Sequence, residues 1–448
     1  MARPSGRLSS ALRQKRAAPI GAGIFLRLLY LLAVYLAAPV ISLVYLWRGL
    51  WDRSYWRHFG ERFGFGPKAP ADGAWLHAVS VGEVQACAAL VNALHRRHPQ
   101  LPLTVTSFTP TGVARARALF GDIAQVRYLP FDLPGSVRRF FDRVQPRLAV
   151  IFETELWPNL YRECARRRVP LVLASARISS RSVGRYQRLG SLFSGALAQA
   201  AVVAAQGPED AERFRALGAD PAGLEVTGNL KFDFELPVDV TARAAALRAQ
   251  YAAQRPMWVA GSTHGGGEEE AVIAAHRRVL AAQPQALLVI APRHPPRFAE
   301  VAQRVADAGL TVVRRSQPES PDPQAAQVLV LDTLGELVGF YAAADVAFVG
   351  GSLVGIGGHN LLEPAAVGVP ILTGPNNFNS IDSARLLLGS GAAQVIDDAA
   401  QLGERVTALL GDASERARIG TLGRACVEAN RGALAKLLGL IEPLLGEL

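Results

Sequence analysis

From Leu28 to Trp47 the chain runs LLYLLAVYLAAPVISLVYLW, twenty residues without a charge. As a helix, at about 1.5 Å per residue, such a run reaches roughly 30 Å, one hydrocarbon thickness. Beyond Ala74 the pattern changes to short β-rich runs alternating with helical stretches. In the first half the runs are AWLHAVS (74–80), LTVTSF (103–108), LAVIFE (148–153), LVLAS (171–175) and VVAA (202–205), with helical candidates such as Val84–Arg97 and Leu160–Arg168 between them. A second series holds MWVAGS (257–262), ALLVIAPR (286–293), VLVLD (328–332), DVAFVGG (345–351) and VPILTG (369–374). Alternation of this kind predicts parallel sheets with crossover helices, an α/β fold. The expected organisation is a basic tail (1–27), a membrane-anchor helix (28–47) and two Rossmann-like domains (48–240 and 241–448) facing a cleft, with the carboxy-terminal helices in the second. In such folds ligands bind where strand carboxyl ends converge. Glu235–Arg255, with Pro237 and an Ala/Arg-rich stretch, is the expected junction.

A length of 448 residues suits two domains, and 50% hydrophobic against 19% charged residues excludes wholesale disorder. Cys87, Cys164 and Cys426 are scattered without CxxC or Cys/His spacing, which excludes a disulfide scaffold and a zinc module. The net charge of +10 is unevenly spread: residues 1–68 carry eleven Lys/Arg against Asp52 and Glu61, leaving the rest nearly neutral. A nucleic-acid partner is therefore not expected, because folded nucleic-acid-binding domains carry a basic face of their own. Tyr30, Tyr35, Tyr45, Trp47, Trp51, Tyr55 and Trp56 form an aromatic population suited to a membrane interface. Arg48, Arg53, Arg57 and Arg62 are expected to attract anionic lipid headgroups. A secretory signal fits less well, since the run is long and basic aromatic sequence follows it. A buried core helix kinked at Pro39 is the other reading. Both flanks are basic, so charge does not orient the segment.

Several motifs stand where strands end. SVGE (Ser80–Glu83) offers Glu83 as a general base or as a helix-start carboxylate, with Gly82 allowing a tight turn. FETELWPN (Phe152–Asn159) places Glu153 and Glu155 after a buried strand, alternation sending them to one side; either they are used, or one pairs with an Arg of the next helix. GNLKFD (Gly228–Asp233) offers Lys231, and SARISSRS (Ser175–Ser182) offers Arg177 and Arg181 to an anion or as a polar cap. GSTHGGGEEE (Gly261–Glu270) is an anion-binding turn or plain capping, and lacks the GK[ST] ending of a P-loop. APRHPPRF (Ala291–Phe298) carries Arg293, His294 and Arg297, suited to a phosphate or a base edge, or forming a solvated basic loop. GGSLVGIGGHNLLEPAAVGVP (Gly350–Pro370) puts five glycines ahead of a helix expected near His359–Asn360, either a phosphate cradle whose spacing is not GxGxxG or a Gly-rich structural loop. Glu363 sits where it can accept hydrogen bonds from ribose hydroxyls.

In this order SVGE, ETELWPN, GNLKFD, STH…EEE, PRHPPRF and HNLLEP resemble the bacterial 3-deoxy-D-manno-octulosonic acid (Kdo) transferases, from the membrane run onward. The resemblance implies a GT-B glycosyltransferase of lipopolysaccharide synthesis in the bacterial inner membrane, with its domains on the cytoplasmic side. It implies inverting transfer of Kdo from CMP-Kdo to a lipid A precursor, with no metal and no cofactor. The first domain is then the acceptor side and the second binds the CMP-sugar. By the same match Glu83 is the proton acceptor, and Glu153 and Lys231 stabilise the transition state. Pro292–Arg293, Leu334–Gly335–Glu336 and Asn360–Leu361–Leu362–Glu363 match the CMP-contacting segments. GSTHGGGEEE is one residue longer than the family's pattern, and the basic stretch before Leu28 is longer than usual. The nearest alternative is another GT-B enzyme, a UDP-sugar transferase or UDP-sugar epimerase; an inactive membrane-surface binding protein is the rival from another class. A helix start lowers the pKa of Glu83 and burial raises it, and the sequence leaves that contest open.

Overall fold

The computed structural model describes residues 20–179, 182–184, 186, 190–317 and 324–446. Residues 1–19 of the basic tail and Arg181 lie outside the described residues. Two compact units divide the chain: Met1–Phe234 with Arg431–Leu448, and Glu235–Asn430.

The apolar run lies in helix α1, Ile20–Arg48. Phe25–Arg48 is long and apolar enough to cross a membrane, with mean hydropathy 2.2 and only 6% of its apolar window buried, which rules out a buried core helix. After α1 the chain folds back: the Trp56 indole N–H donates to the Leu46 carbonyl at 2.9 Å. A Cβ on Gly49 would stand 1.8 Å from that indole, so only glycine fits there. Trp47, Trp51 and Trp56 are exposed, as an interfacial role requires. Arg62 is not available to lipid, contrary to expectation. It is fully buried, donates to the Phe108 carbonyl at 3.0 Å, and lies over the Tyr128 and Tyr45 rings at 4.1 and 4.5 Å.

The first unit holds β1 (Ala74–His77), β2 (Leu103–Ser107), β3 (Gln125–Tyr128), β4 (Leu148–Phe152), β5 (Leu171–Ala176), β6 (Val202–Ala205) and β7 (Leu224–Val226). They form one seven-stranded sheet in the order β3-β2-β1-β4-β5-β6-β7, with each neighbouring pair parallel. Helices cover both faces, so the central strands are apolar throughout; all five residues of β4 are buried. Strand order reverses at β1, which pairs with both β2 and β4 through Trp75↔Thr104 and Trp75↔Ala149. Helix α2 (Val81–Arg97) follows β1, and α3 (Pro158–Arg167) follows β4. Asp132, on the loop after β3, caps α3 by accepting from the Asn159 and Leu160 backbone N–H groups at 3.0 and 2.9 Å.

The second unit holds β8 (Met257–Thr263), β9 (Leu287–Pro292), β10 (Val312–Arg314), β11 (Val328–Val330), β12 (Val346–Val349), β13 (Ile371–Thr373) and β14 (Ala393–Val395). Their order is β10-β11-β9-β8-β12-β13-β14, so the reversal falls at β8, between β9 and β12. Helix α4 (Glu268–Ala282) follows β8, and the six-residue α5 (Leu362–Val367) lies after β12.

The last helix, α6 (Ala433–Leu445), corrects the expected division, which kept the carboxy-terminal helices in the second domain. Its Leu437, Leu438, Ile441 and Leu445 join the core beneath β1, β2 and β4, so it belongs to the first unit. Asp233 fixes its start by accepting from the Gly432 and Leu434 N–H groups at 2.7 and 2.9 Å.

Candidate active site

In the first unit, polar side chains gather at the carboxyl ends of β1 and β4, where strand order reverses. Ser80 has extended backbone (φ −116°, ψ 169°) and caps α2. The Glu83 carboxylate turns back over that cap: Oε2 accepts from the Val79 N–H at 2.8 Å and Oε1 from the Ser80 hydroxyl at 3.1 Å. The geometry is that of the helix-start carboxylate. Burial, then the Glu153 charge, push its pKa up to about 7, against the pull of these hydrogen bonds and of Lys231. Burial outweighs the helix start. Gly82 does not serve a tight turn: it lies within α2, and a Cβ there would meet nothing nearer than the Ser80 Oγ at 3.9 Å. It leaves a bare surface beside Glu83.

Strand alternation ends at Phe152, because Glu153 adopts φ 56° and swings out of the pleat. Its carboxylate meets Lys231 Nζ at 2.9 Å. Lys231 stands on a single turn, Leu230–Phe232, that Asn229 initiates by accepting from the Lys231 N–H at 2.9 Å. Behind that turn Gln206 donates to the Ser175 carbonyl at 3.0 Å and accepts from Asn229 at 3.1 Å. Ser175 itself has φ 51°. Gln206 was not singled out by sequence, because a lone Gln after a strand carries no motif. Glu155 has no Arg partner from α3; Arg166 and Arg167 bind Glu163 of their own helix instead. Burial, then the Glu83 charge, raise Glu155 to about 7 as well. Glu83, Glu153, Glu155 and Lys231 thus form one electrostatically coupled group.

In the second unit the turn after β8 and the loop after β12 interlock. Glu268 is fully buried and accepts four backbone N–H groups: His264 and Gly351 at 2.9 and 2.8 Å on Oε2, Ser352 and Leu353 both at 3.1 Å on Oε1. This corrects the expected phosphate cradle. The amides at the start of the glycine loop hold the protein's own carboxylate, and a Cβ on Gly350 would stand 2.9 Å from it. The helix also begins later than expected, at Leu362, where Asn360 Oδ1 accepts from the Leu362 N–H at 3.0 Å.

What remains open to an anion is a basic group around Arg293, the residue after β9. The rings of His264 and His359 lie 2° from parallel with Nε2 atoms 2.7 Å apart, so one must donate to the other. His294 meets His264 edge-on at 5.3 Å. Burial and neighbouring cations hold His264 below the usual histidine range and bring His359 down to about 4. Arg293 is exposed, and its N–H donates to the Thr263 carbonyl at 2.9 Å. The buried Thr263 hydroxyl has no hydrogen-bond partner among the described residues. Arg297 instead binds the buried Glu269.

Of the expected nucleotide contacts, Pro292 closes β9, and Arg293 is an electrostatic neighbour of Glu363. Burial raises the Glu363 pKa, against a hydrogen bond from Asn360 at 3.1 Å. Leu361 and Leu362 are buried beside them. Leu334 is exposed, Gly335 has φ 86°, and Glu336 is bound by Arg315 at 2.8 Å. Gly335, Glu336 and Arg315 line a cavity of about 350 Å³ with Pro237 and Leu247. Among the described residues no cluster of His, Cys, Asp and Glu is arranged to hold a metal ion.

Two parallel α/β units, each gathering polar residues where its strand order reverses, define a fold of the GT-B type. The UDP-GlcNAc 2-epimerase of Neisseria meningitidis shares this fold, with a TM-score of 0.57 at 10% identity over 83% of this chain and 99% of that one. Residues 57–234 match the family described as 3-Deoxy-D-manno-octulosonic-acid transferase (kdotransferase). The 3-deoxy-D-manno-octulosonic acid transferase of Haemophilus influenzae is 41% identical over 395 residues, covering 87% of this chain and 92% of that one. The Bordetella pertussis enzyme of the same name is 38% identical over 437 residues, covering 93% and 99%. The chain belongs to the Kdo transferase family.

Proposed function

We propose that this enzyme moves Kdo from CMP-Kdo to a lipid A precursor, inverting the anomeric centre without a metal ion. The observation that carries the reading is the Glu83 carboxyl, raised to about 7 at the point where the first sheet reverses its strand order. A carboxylate of that basicity can take the proton of a primary sugar hydroxyl as it attacks the donor's ketosidic carbon. The electron pair of the breaking bond leaves with the CMP phosphate. Lys231 supplies a cation for the donor's own carboxylate, with Glu153 holding its ammonium in place. For the leaving phosphate the second unit offers Arg293, the unpartnered Thr263 hydroxyl and the histidines beside them. Glu363, half-buried beside Asn360, suits the ribose hydroxyls. Fixed donors and cations aimed at the departing charge do the electrostatic work a divalent metal would do. CMP-activated sugar is made in the cytoplasm, so both units belong on that side of the bacterial inner membrane, held there by α1.

The test is incubation of the full chain with CMP-Kdo and a tetraacylated lipid A precursor, with products counted by mass and the new linkage assigned by NMR. Kdo-bearing lipid of inverted configuration, formed at the same rate with and without a chelator, is the expected result. Absence of transfer, retained configuration or a requirement for a divalent cation each overturns the corresponding part. CMP should protect the protein against thermal unfolding and UDP should not; protection by UDP would favour a UDP-sugar enzyme.

A further inference from the structure

One stripe of α1 is attached to the first unit at three heights. The Tyr30 hydroxyl donates to the Asp132 carboxylate at 2.7 Å. Val34 and Ala38 pack with Phe131 and Leu133. Tyr45 stacks on Phe131 with ring centroids 6.2 Å apart and lies beneath the Arg62 guanidinium at 4.5 Å. From Tyr30 to Tyr45 is about 22 Å along a helix axis. The opposite face is bare: Phe25, Leu36 and Leu43 are each at least 65% exposed.

A crossing helix needs hydrocarbon on every side over about 30 Å. With its partners attached along most of that length, crossing would carry Asp132, Arg62 and the capped start of α3 into the hydrocarbon, which is strongly unfavourable for charged groups. We propose that α1 does not cross the bilayer but lies along one leaflet, clamped to the first unit through Tyr30–Asp132 and Tyr45–Phe131, with its bare face in the acyl chains of an anionic phospholipid surface. Exposed Arg48, Arg53 and Arg57 at the end of α1 supply the charge for such headgroups, and Trp47, Trp51 and Trp56 the interfacial aromatics. The arrangement also explains why the helix is apolar all round: one face is covered by protein and the other by lipid.

The attachment points have a second meaning. Phe108 and Phe131 sit on the loops after β2 and β3, and Trp157, stacked on Phe108 at 6.0 Å, follows β4. α1 is therefore fastened to the same sheet edge that carries Glu83 and Glu153, which holds the leaflet against that edge. If the acceptor is the proposed lipid, its acyl chains can stay in the leaflet while its sugar reaches Glu83. That consequence rests on the proposed function; the orientation of α1 does not.

The test is a depth measurement. Leu29→Cys, Leu36→Cys and Leu43→Cys are introduced singly into the full chain carrying Cys426→Ser, since Cys87 and Cys164 are buried. Each is spin-labelled and bound to phosphatidylglycerol/phosphatidylethanolamine vesicles. Equal, shallow depths of roughly 5–10 Å below the headgroups are expected. A profile with Leu36 near the bilayer centre and the flanking labels much shallower would show a crossing helix and overturn the proposal. Binding should weaken on neutral phosphatidylcholine vesicles; equal binding overturns the anionic preference. Glu83→Gln should give the same depth profile, so a failure of the proposed transfer and a failure of this orientation are read separately.

Discussion

Lys231 Nζ donates to Glu153 Oε1 at 2.9 Å, joining the turn after β7 to the end of β4 across 78 residues. The ion pair keeps a carboxylate and an ammonium where Glu83 feels both. Each partner acts on Glu83 with opposite sign, Glu153 raising its pKa and Lys231 lowering it.

Removing the proposed base is the first expectation. Glu83→Gln should lower transfer by about 10²–10⁴-fold, the usual worth of a positioned general base. Nucleotide binding should persist, because Glu83 lies in the first unit and Arg293 in the second. Calorimetry with CMP alongside a transfer assay checks both halves; near-normal turnover would remove Glu83 from the mechanism.

The pH profile carries the electrostatics. In the proposed mechanism Glu83 works as the carboxylate, so kcat/KM should rise with pH on a limb near 7. Glu153→Gln takes away a like charge and should move that limb to lower pH. Lys231→Met takes away an opposite charge and should move it to higher pH. Limbs that stay in place in both variants would show that another group titrates.

Stability should follow the same groups. The folded pKa of Glu155 is raised to about 7 from 4.5, so the carboxyl contributes stability that is full below 4.5 and lost as pH climbs through 7. Glu155→Gln, neutral at every pH, should therefore unfold later than the parent at pH 8, by roughly 1–3 kcal/mol. At pH 4 the two should nearly coincide. Denaturant titrations at both values settle it.

For the nucleotide, Arg293→Ala and Glu363→Ala should each weaken CMP binding by roughly 1–3 kcal/mol, the range for a lost hydrogen bond to a charged group. Unchanged titration calorimetry in both would place the nucleotide elsewhere.

Glu268→Ala should be costly for a different reason. It strips the acceptor from four backbone N–H groups in a fully buried turn. A loss of roughly 3–5 kcal/mol is expected, seen as a melting temperature about ten degrees lower. A melt unchanged within a degree would mean that water replaces the carboxylate at no cost.

The parallel units were legible because buried parallel strands write themselves as apolar runs such as LAVIF and LLVIA. The edge strands β3, β10 and β14 were not, since QVRY, VVR and AQV are short and half-polar. SVGE, ETEL and GNLK, each standing past a strand, pointed to Glu83, Glu153 and Lys231, which the structure brings into one charged group. Glu268 was not singled out, because a glutamate opening a helix looks the same whether it faces water or fills a nest of amides. Arg62 was misjudged: a basic residue among aromatics beside a membrane helix reads as lipid-facing, yet four rings, those of Tyr45, Phe108, Tyr128 and Phe131, enclose it. Likewise α1 reads as a separable anchor, but it is fastened to the fold through Tyr30, so its removal would uncover Phe131 and Leu133.

The placement of α6 sets an order of events during synthesis. Leu437, Leu438, Ile441 and Leu445 complete a core whose other members are made before residue 235, and Asp233 waits for the N–H groups of Gly432 and Leu434. A nascent chain can finish its second unit while the unit carrying Glu83 still lacks one wall. The group around Glu83 is thus assembled last, and a polypeptide that stops short of its final helix leaves its first sheet open.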